Sequence, residues 1–105
     1  MTTTTTVVHR ITVPFADETL VQVPGFVRAL HAAPARPHID PTETSIELWF
    51  LAIADIDELM DVRIRVVGTG HPFTFRAEHL ASFPTNGGQF VWHVYVEYPL
   101  EEKLQ

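Results

Sequence analysis

Thr44-Ser45-Ile46-Glu47-Leu48-Trp49-Phe50-Leu51-Ala52-Ile53-Ala54 is apolar on both alternating faces. In an extended chain Ile46, Leu48, Phe50 and Ala52 point one way, and Trp49, Leu51 and Ile53 the other. A segment suited to burial on both faces is the central strand of a sheet. Outward from it, period-two patterning dominates. Val7, His9, Ile11 and Val13 alternate with Val8, Arg10 and Thr12 until Pro14 removes a ladder donor. Leu20 to Val23 forms a short strand stopped by Pro24-Gly25. Phe26 to Ala32 forms a third, with Phe26, Arg28, Leu30 and Ala32 on one face. Val62, Ile64 and Val66 face one way, with Arg63 and Arg65 on the other side. The last strand, Gln89 to Tyr98, carries Phe90, Trp92, Val94, Val96 and Tyr98 on its apolar face.

The connections are equally readable. Pro34, Pro37 and Pro41 turn the 33–43 stretch into the longest loop. Asp55, Asp57, Glu58 and Asp61 make an acidic, solvated connection. Asn86-Gly87-Gly88 is a strong hairpin turn. Ala77, Leu80 and Ala81 share a helical face, which predicts a short helix over Ala77 to Phe83 ended by Pro84. These elements predict one mainly β domain over residues 1–105, frayed over 1–6. Its architecture is a small antiparallel sandwich or barrel of six to seven strands with one short helix. So small a sheet protein must fold over on itself or bury its apolar face against a second copy. A homo-oligomer is expected because a cleft built by one such chain is small, and a larger ligand is better enclosed between copies.

Composition narrows the function. The chain is 46% hydrophobic and 19% charged, with a mean hydropathy of +0.08, values of an ordinary globular protein. Its longest apolar run, Leu48 to Ala54, is far shorter than the ~20 residues of a membrane-spanning helix. With 13 acidic against 7 basic residues and a net charge of −6, it is poorly suited to a nucleic-acid backbone. Cysteine is absent, which removes disulfides, thiolate metal sites and cysteine nucleophiles together. Met1 and the threonines after it show no signal-peptide pattern, so a cytoplasmic location is expected.

Gly68-Thr69-Gly70-His71 ends a predicted strand, and its glycines permit positive φ and a small nest of converging amides. It lacks the third glycine of a dinucleotide-binding fingerprint and the lysine of a phosphate-binding loop. If the strand carrying Arg63 and Arg65 pairs with the last strand so that the apolar faces coincide, His93 and Tyr95 join those arginines on the opposite side. Guanidinium, imidazole, phenol and loop amides then surround one site suited to a small anionic, partly aromatic ligand. The competing reading of the arginines is solvated cross-strand pairing with Glu47 or Glu97. The six histidines show no metal-ligand spacing, so no metal and no cofactor is expected; His71, His79 and His93 form the one metal alternative. His9, in phase with Val7 and Ile11, reads as a hydrogen-bonded core histidine. Ser45 and Ser82 lack a nucleophile-elbow context.

Four segments carry a resemblance. They are Val8-His9-Arg10-Ile11, Val23-Pro24, Val66-Val67-Gly68-Thr69-Gly70-His71-Pro72 and Phe90-Val91-Trp92-His93-Val94-Tyr95. With these the chain resembles a family of small proteins encoded by tailed bacteriophages, most specifically in the Gly-Thr-Gly-His and Trp-His elements. The Pro-rich loop is a local elaboration on that pattern. The resemblance implies an accessory protein acting in the host cytoplasm, of a kind that blocks a host protein or binds a host small molecule, nucleotide immune signals included. The combined expectation is capture of a small anionic ligand, without catalysis, by Arg63, Arg65, Gly68, Thr69, Gly70, His71, His93 and Tyr95. The alternatives are a host-protein inhibitor acting through a strand edge or the Asp55–Asp61 acids, and a small hydrolase using His71 and His93.

Overall fold

The computed structural model describes residues 4–42 and 44–97; Tyr98, placed by its sequence pattern on the last strand, lies outside them. Seven strands run in order: β1 (Thr6–Pro14), β2 (Glu18–Pro24), β3 (Phe26–Pro34), β4 (Ser45–Ile53), β5 (Leu59–Gly68), β6 (Glu78–Thr85) and β7 (Phe90–Glu97). They form two antiparallel sheets, β1-β4-β3 and β2-β5-β7-β6, stacked face to face as a sandwich. No described residue is helical, and no helix is long and apolar enough to cross a membrane.

β4 is the central strand of the first sheet, as its two apolar faces predict. Ile46, Leu48 and Phe50 are fully buried against Val62, Ile64, Val94 and Val96 of the second sheet. Each fully buried aliphatic or aromatic side chain of this kind contributes roughly 1.5–3 kcal/mol of transfer free energy, which makes the inter-sheet layer the main source of stability.

Two expectations are corrected. The predicted helix over Ala77 to Phe83 is instead strand from Glu78 onward, because β7 offers an open edge and Ala81 and Phe83 alternate into the core. A register shift between His79 and Ala81 inserts Leu80 and produces the false helical spacing. Pro84 is tolerated because β6 is an edge strand. In β3, register shifts between Phe26 and Arg28 and between Ala29 and His31 break strict alternation. Phe26, Ala29 and Ala32 are therefore buried and Arg28 is exposed.

Turn chemistry sets how the chain changes sheets. Gly25, with φ +63°, carries it from β2 to β3, and a Cβ there would lie 2.4 Å from the Ile53 carbonyl oxygen. The β6–β7 hairpin has positive φ at Asn86, Gly87 and Gly88, as the Asn-Gly-Gly signal predicts. Because β7 lies between β5 and β6, the 69–77 connection must pass over it. That crossing places the loop on the outer face of the second sheet.

Candidate functional site

Arg63 and Arg65 do share the outer face of the second sheet with His93 and Tyr95. β5 pairs with β7 so that Arg65 lies opposite Tyr95 and Arg63 opposite Glu97. The guanidiniums are engaged in a network on that face. Arg65 Nε donates to Glu97 Oε1 at 2.6 Å and Nη1 lies 3.1 Å from Glu18 Oε1. Arg63 Nε stands 3.0 Å from Glu18 Oε2, close enough for an ion pair but poorly aligned for a hydrogen bond. Two bases thus face two acids, and the patch is not strongly basic. The partner acids are Glu97 and Glu18; Glu47, the other expected partner, belongs to the first sheet.

The glycine loop is a tight turn in which two of the amides are already used. Thr69 N donates to Val91 O at 3.2 Å and His71 N to Gly68 O at 3.0 Å. Only Gly70 has a positive φ, +88°. Gly68 is closely packed: a Cβ there would lie 3.0 Å from His71 Nδ1 and 3.4 Å from Trp92, so the imidazole would have to shift to admit one. Beyond the turn, Phe73 and Phe75 stack on each other at 4.5 Å and pack on Tyr95, and Arg65 lies 4.8 Å over the Phe75 ring.

His79, brought to this face by the β6 register shift, completes a chain of hydrogen bonds. Thr69 Oγ1 lies 2.8 Å from His93 Nε2, His93 Nδ1 lies 2.7 Å from Ser82 Oγ, and Ser82 Oγ lies 2.8 Å from His79 Nε2. His71 is not part of it. Among the described residues no three histidines or acids cluster as a metal site, so the His71, His79 and His93 set is not assembled.

A second concave feature lies at one end of the sandwich, between the sheets. It is a cleft of about 510 Å³ lined by Phe15, Val66, Phe90 and Trp92 and rimmed by Asp17, Thr42, Thr44, Thr85 and Asn86. That volume falls within the ~300–1,000 Å³ of small-ligand sites. Phe15 and Trp92 pack at 5.6 Å, Phe90 and Trp92 at 6.1 Å, and Trp92 Nε1 donates to Thr85 Oγ1 at 2.8 Å. The indole is therefore fixed before any ligand arrives.

The Pro-rich loop supplies Thr42 and Thr44, and two acids hold it. Asp40 accepts from the Thr42 and Thr44 amides at 2.9 and 3.2 Å and from both threonine hydroxyls. Hydrogen bonds from the Ser45 and Thr42 side chains and the Thr42 amide hold its carboxyl well below the usual carboxylate range. Glu47, wholly buried on the outer face of β4, receives Arg36 Nε at 3.0 Å, Arg36 Nη2 at 2.9 Å and the Arg36 amide at 2.9 Å. The Arg36 hydrogen bonds outweigh burial and lower the Glu47 pKa. The cleft rim is thereby anchored to the central strand.

None of the cleft residues was a sequence candidate. The signals present were the Asn-Gly-Gly turn with Phe90 and Trp92 close behind it and Phe15 directly after the strand-ending Pro14. Their convergence depends on a sheet pairing that those local signals do not specify.

Fold and site together define a small antiparallel β-sandwich with an aromatic-walled cleft at one end and a polar, aromatic outer face on the four-stranded sheet. Residues 4–105 match the family described as "Domain of unknown function (DUF7352)", and the chain belongs to that family. No curated protein and no solved structure matches the chain.

Proposed function

We propose that the protein is a small-molecule-binding module that captures a planar, nucleoside-like ligand in the inter-sheet cleft. The observation that carries this reading is the cleft itself, with a preset indole, two further aromatic rings and a rim of hydroxyl, amide and carboxylate groups. Aromatic walls favour stacking of a flat ring, and threonine and asparagine side chains satisfy its polar edge. Asp17 is the one charged residue among the described lining residues. The enclosed part of the ligand is therefore neutral or cationic, with sugar hydroxyls as natural donors to the carboxylate, and any phosphate remains outside the mouth. In the phage setting that the resemblance implies, the ligand class is a host nucleotide-type signal, and capture acts by depletion without turnover. The outer face of the second sheet supports an anionic ligand less well, because both arginines are ion-paired and the Thr69 and His71 amides of the loop are bonded.

Trp49 lies on the outer face of the first sheet, stacked on His31, so Trp49→Phe leaves Trp92 as the only indole. Titrating that variant with a panel of nucleosides and nucleotides is expected to give saturable quenching for at least one member. Thr42→Ala together with Thr44→Ala is expected to weaken that binding by about tenfold, the equivalent of roughly one or two hydrogen bonds. Flat titrations across the panel, with no thermal shift of the native chain, contradict the reading.

A further inference from the structure

One placement of the protons gives the hydrogen-bonded chain on the outer face of the second sheet a direction. In it the Thr69 hydroxyl donates to Val91 O, 3.3 Å away, a carbonyl oxygen that can only accept. The Thr69 oxygen then accepts from His93 Nε2–H, which leaves the lone pair of a neutral imidazole on Nδ1. Ser82 donates its proton to that lone pair, and its own oxygen accepts from His79 Nε2–H. In that placement a serine hydroxyl is bonded to a histidine acceptor whose tautomer is held by Thr69. This is the arrangement that activates an oxygen nucleophile.

We propose that Ser82 is a nucleophile for acyl transfer, with His93 as its general base, Thr69 positioning His93, and His79 supplying an N–H at the reacting oxygen. Ser82 and His79 are exposed, so an electrophile can reach the oxygen from solvent. Beside them Tyr95 packs on His79 at 5.3 Å and on Phe73 at 5.3 Å, forming an apolar wall that fits a small carboxylic ester with an apolar or aryl group. Ser82 Oγ attacks the carbonyl carbon while its proton passes to His93 Nδ1. Collapse of the tetrahedral adduct breaks the bond to the leaving alcohol, which takes that proton. Water then attacks the acyl-serine, His93 accepts the water proton and returns it to Ser82 Oγ, and a carboxylic acid leaves. On the same face Arg65 and Glu97 neutralise one another. This activity is independent of the cleft: Ser82 faces outward, whereas its neighbours Ala81 and Phe83 are buried in the core.

The test is covalent labelling of the full chain with a fluorophosphonate probe, followed by peptide mapping, together with hydrolysis of p-nitrophenyl butyrate. The expected result is one label on Ser82, lost in Ser82→Ala. His93→Gln lowers the labelling rate by about a hundredfold or more, the usual contribution of a general base. Thr69→Val slows labelling by up to about a hundredfold through misplacement of the imidazole, and moves the pH–rate profile as a merely structural change does not. Trp49→Phe, on the other sheet, labels like the native chain. Circular dichroism melts of each variant separate loss of reactivity from loss of fold. An unlabelled native chain overturns the proposal, as does a label that survives Ser82→Ala or a Ser82 labelling rate unchanged in folded His93→Gln.

Discussion

Both outer faces of the sandwich carry arginine–glutamate clusters, and the two behave differently. On the first sheet Glu47 has no exposed surface, and Arg36 grips it through two side-chain nitrogens and its own amide while Arg10 stands 3.6 Å away. On the second sheet Arg63 and Arg65 are shared between Glu97, 7% exposed, and Glu18, 47% exposed. The same residue types thus make a staple in one place and a partly solvated lattice in the other. The difference lies in what the acid can reach once its partner is gone. Glu47 sits between β1 and β3 beneath the Pro-rich loop, where removal of Arg36 strands a charge. Glu18, at a sheet edge, turns to water.

Three substitutions measure that contrast. Arg36→Ala is expected to have the largest effect, lowering the unfolding midpoint by roughly 10 °C, because a buried carboxylate keeps only the more distant Arg10. It also loosens the loop that carries Thr42 and Thr44 and weakens ligand binding in the cleft. Glu47→Gln is expected to cost about half as much, since both arginines are half exposed and can be solvated by water. Its pH signature is distinctive. Arg36 lowers the Glu47 pKa in the folded chain, so the pair's stabilisation is fully present above the ordinary glutamate value of 4.5 and fades as pH falls toward the folded value. Melts across pH 7 to 3 should therefore show the native chain losing its advantage over Glu47→Gln at the acid end. Glu18→Gln is expected to shift the midpoint least, by less than roughly 4 °C, and the shift should shrink further in high salt. A Glu18→Gln effect as large as that of Arg36→Ala erases the distinction between staple and lattice.

The contrast also shows how far the sequence could be read. Alternation located most of the strands because each buries one face. β4 stood out because it is apolar on both, although only Ile46, Leu48, Phe50 and Ala52 are buried in the core while Trp49, Leu51 and Ile53 are half-buried on the outer face. The outward set Arg63, Arg65, His93 and Tyr95 was legible for the same reason, since aligning two apolar faces fixes what lies behind them. Register shifts were not legible. One inserted residue at Leu80 turned strand into apparent helix, and two more in β3 put Arg28 in water. Nor did the pattern place Glu47, a lone acid in the most apolar stretch of the chain, whose partner Arg36 lies within the Pro-rich loop. The cleft was least legible of all. Phe15, Thr42, Thr85 and Trp92 come from different segments and meet only because the first sheet closes over the second.

On the proposed function the nucleoside-like ligand enters between the sheets and not onto either outer face. The two indole N–H groups provide the most direct measurement, because Trp92 lines the cleft and Trp49 lies on an outer face. In ¹H–¹⁵N correlation spectra titrated with the nucleoside panel, a binding nucleoside is predicted to shift the Trp92 Nε1–H signal saturably and leave that of Trp49 in place. Trp92 unmoved by every member of the panel, or a binding nucleoside that instead shifts residues of the outer face such as His93 and Tyr95, contradicts capture in the cleft.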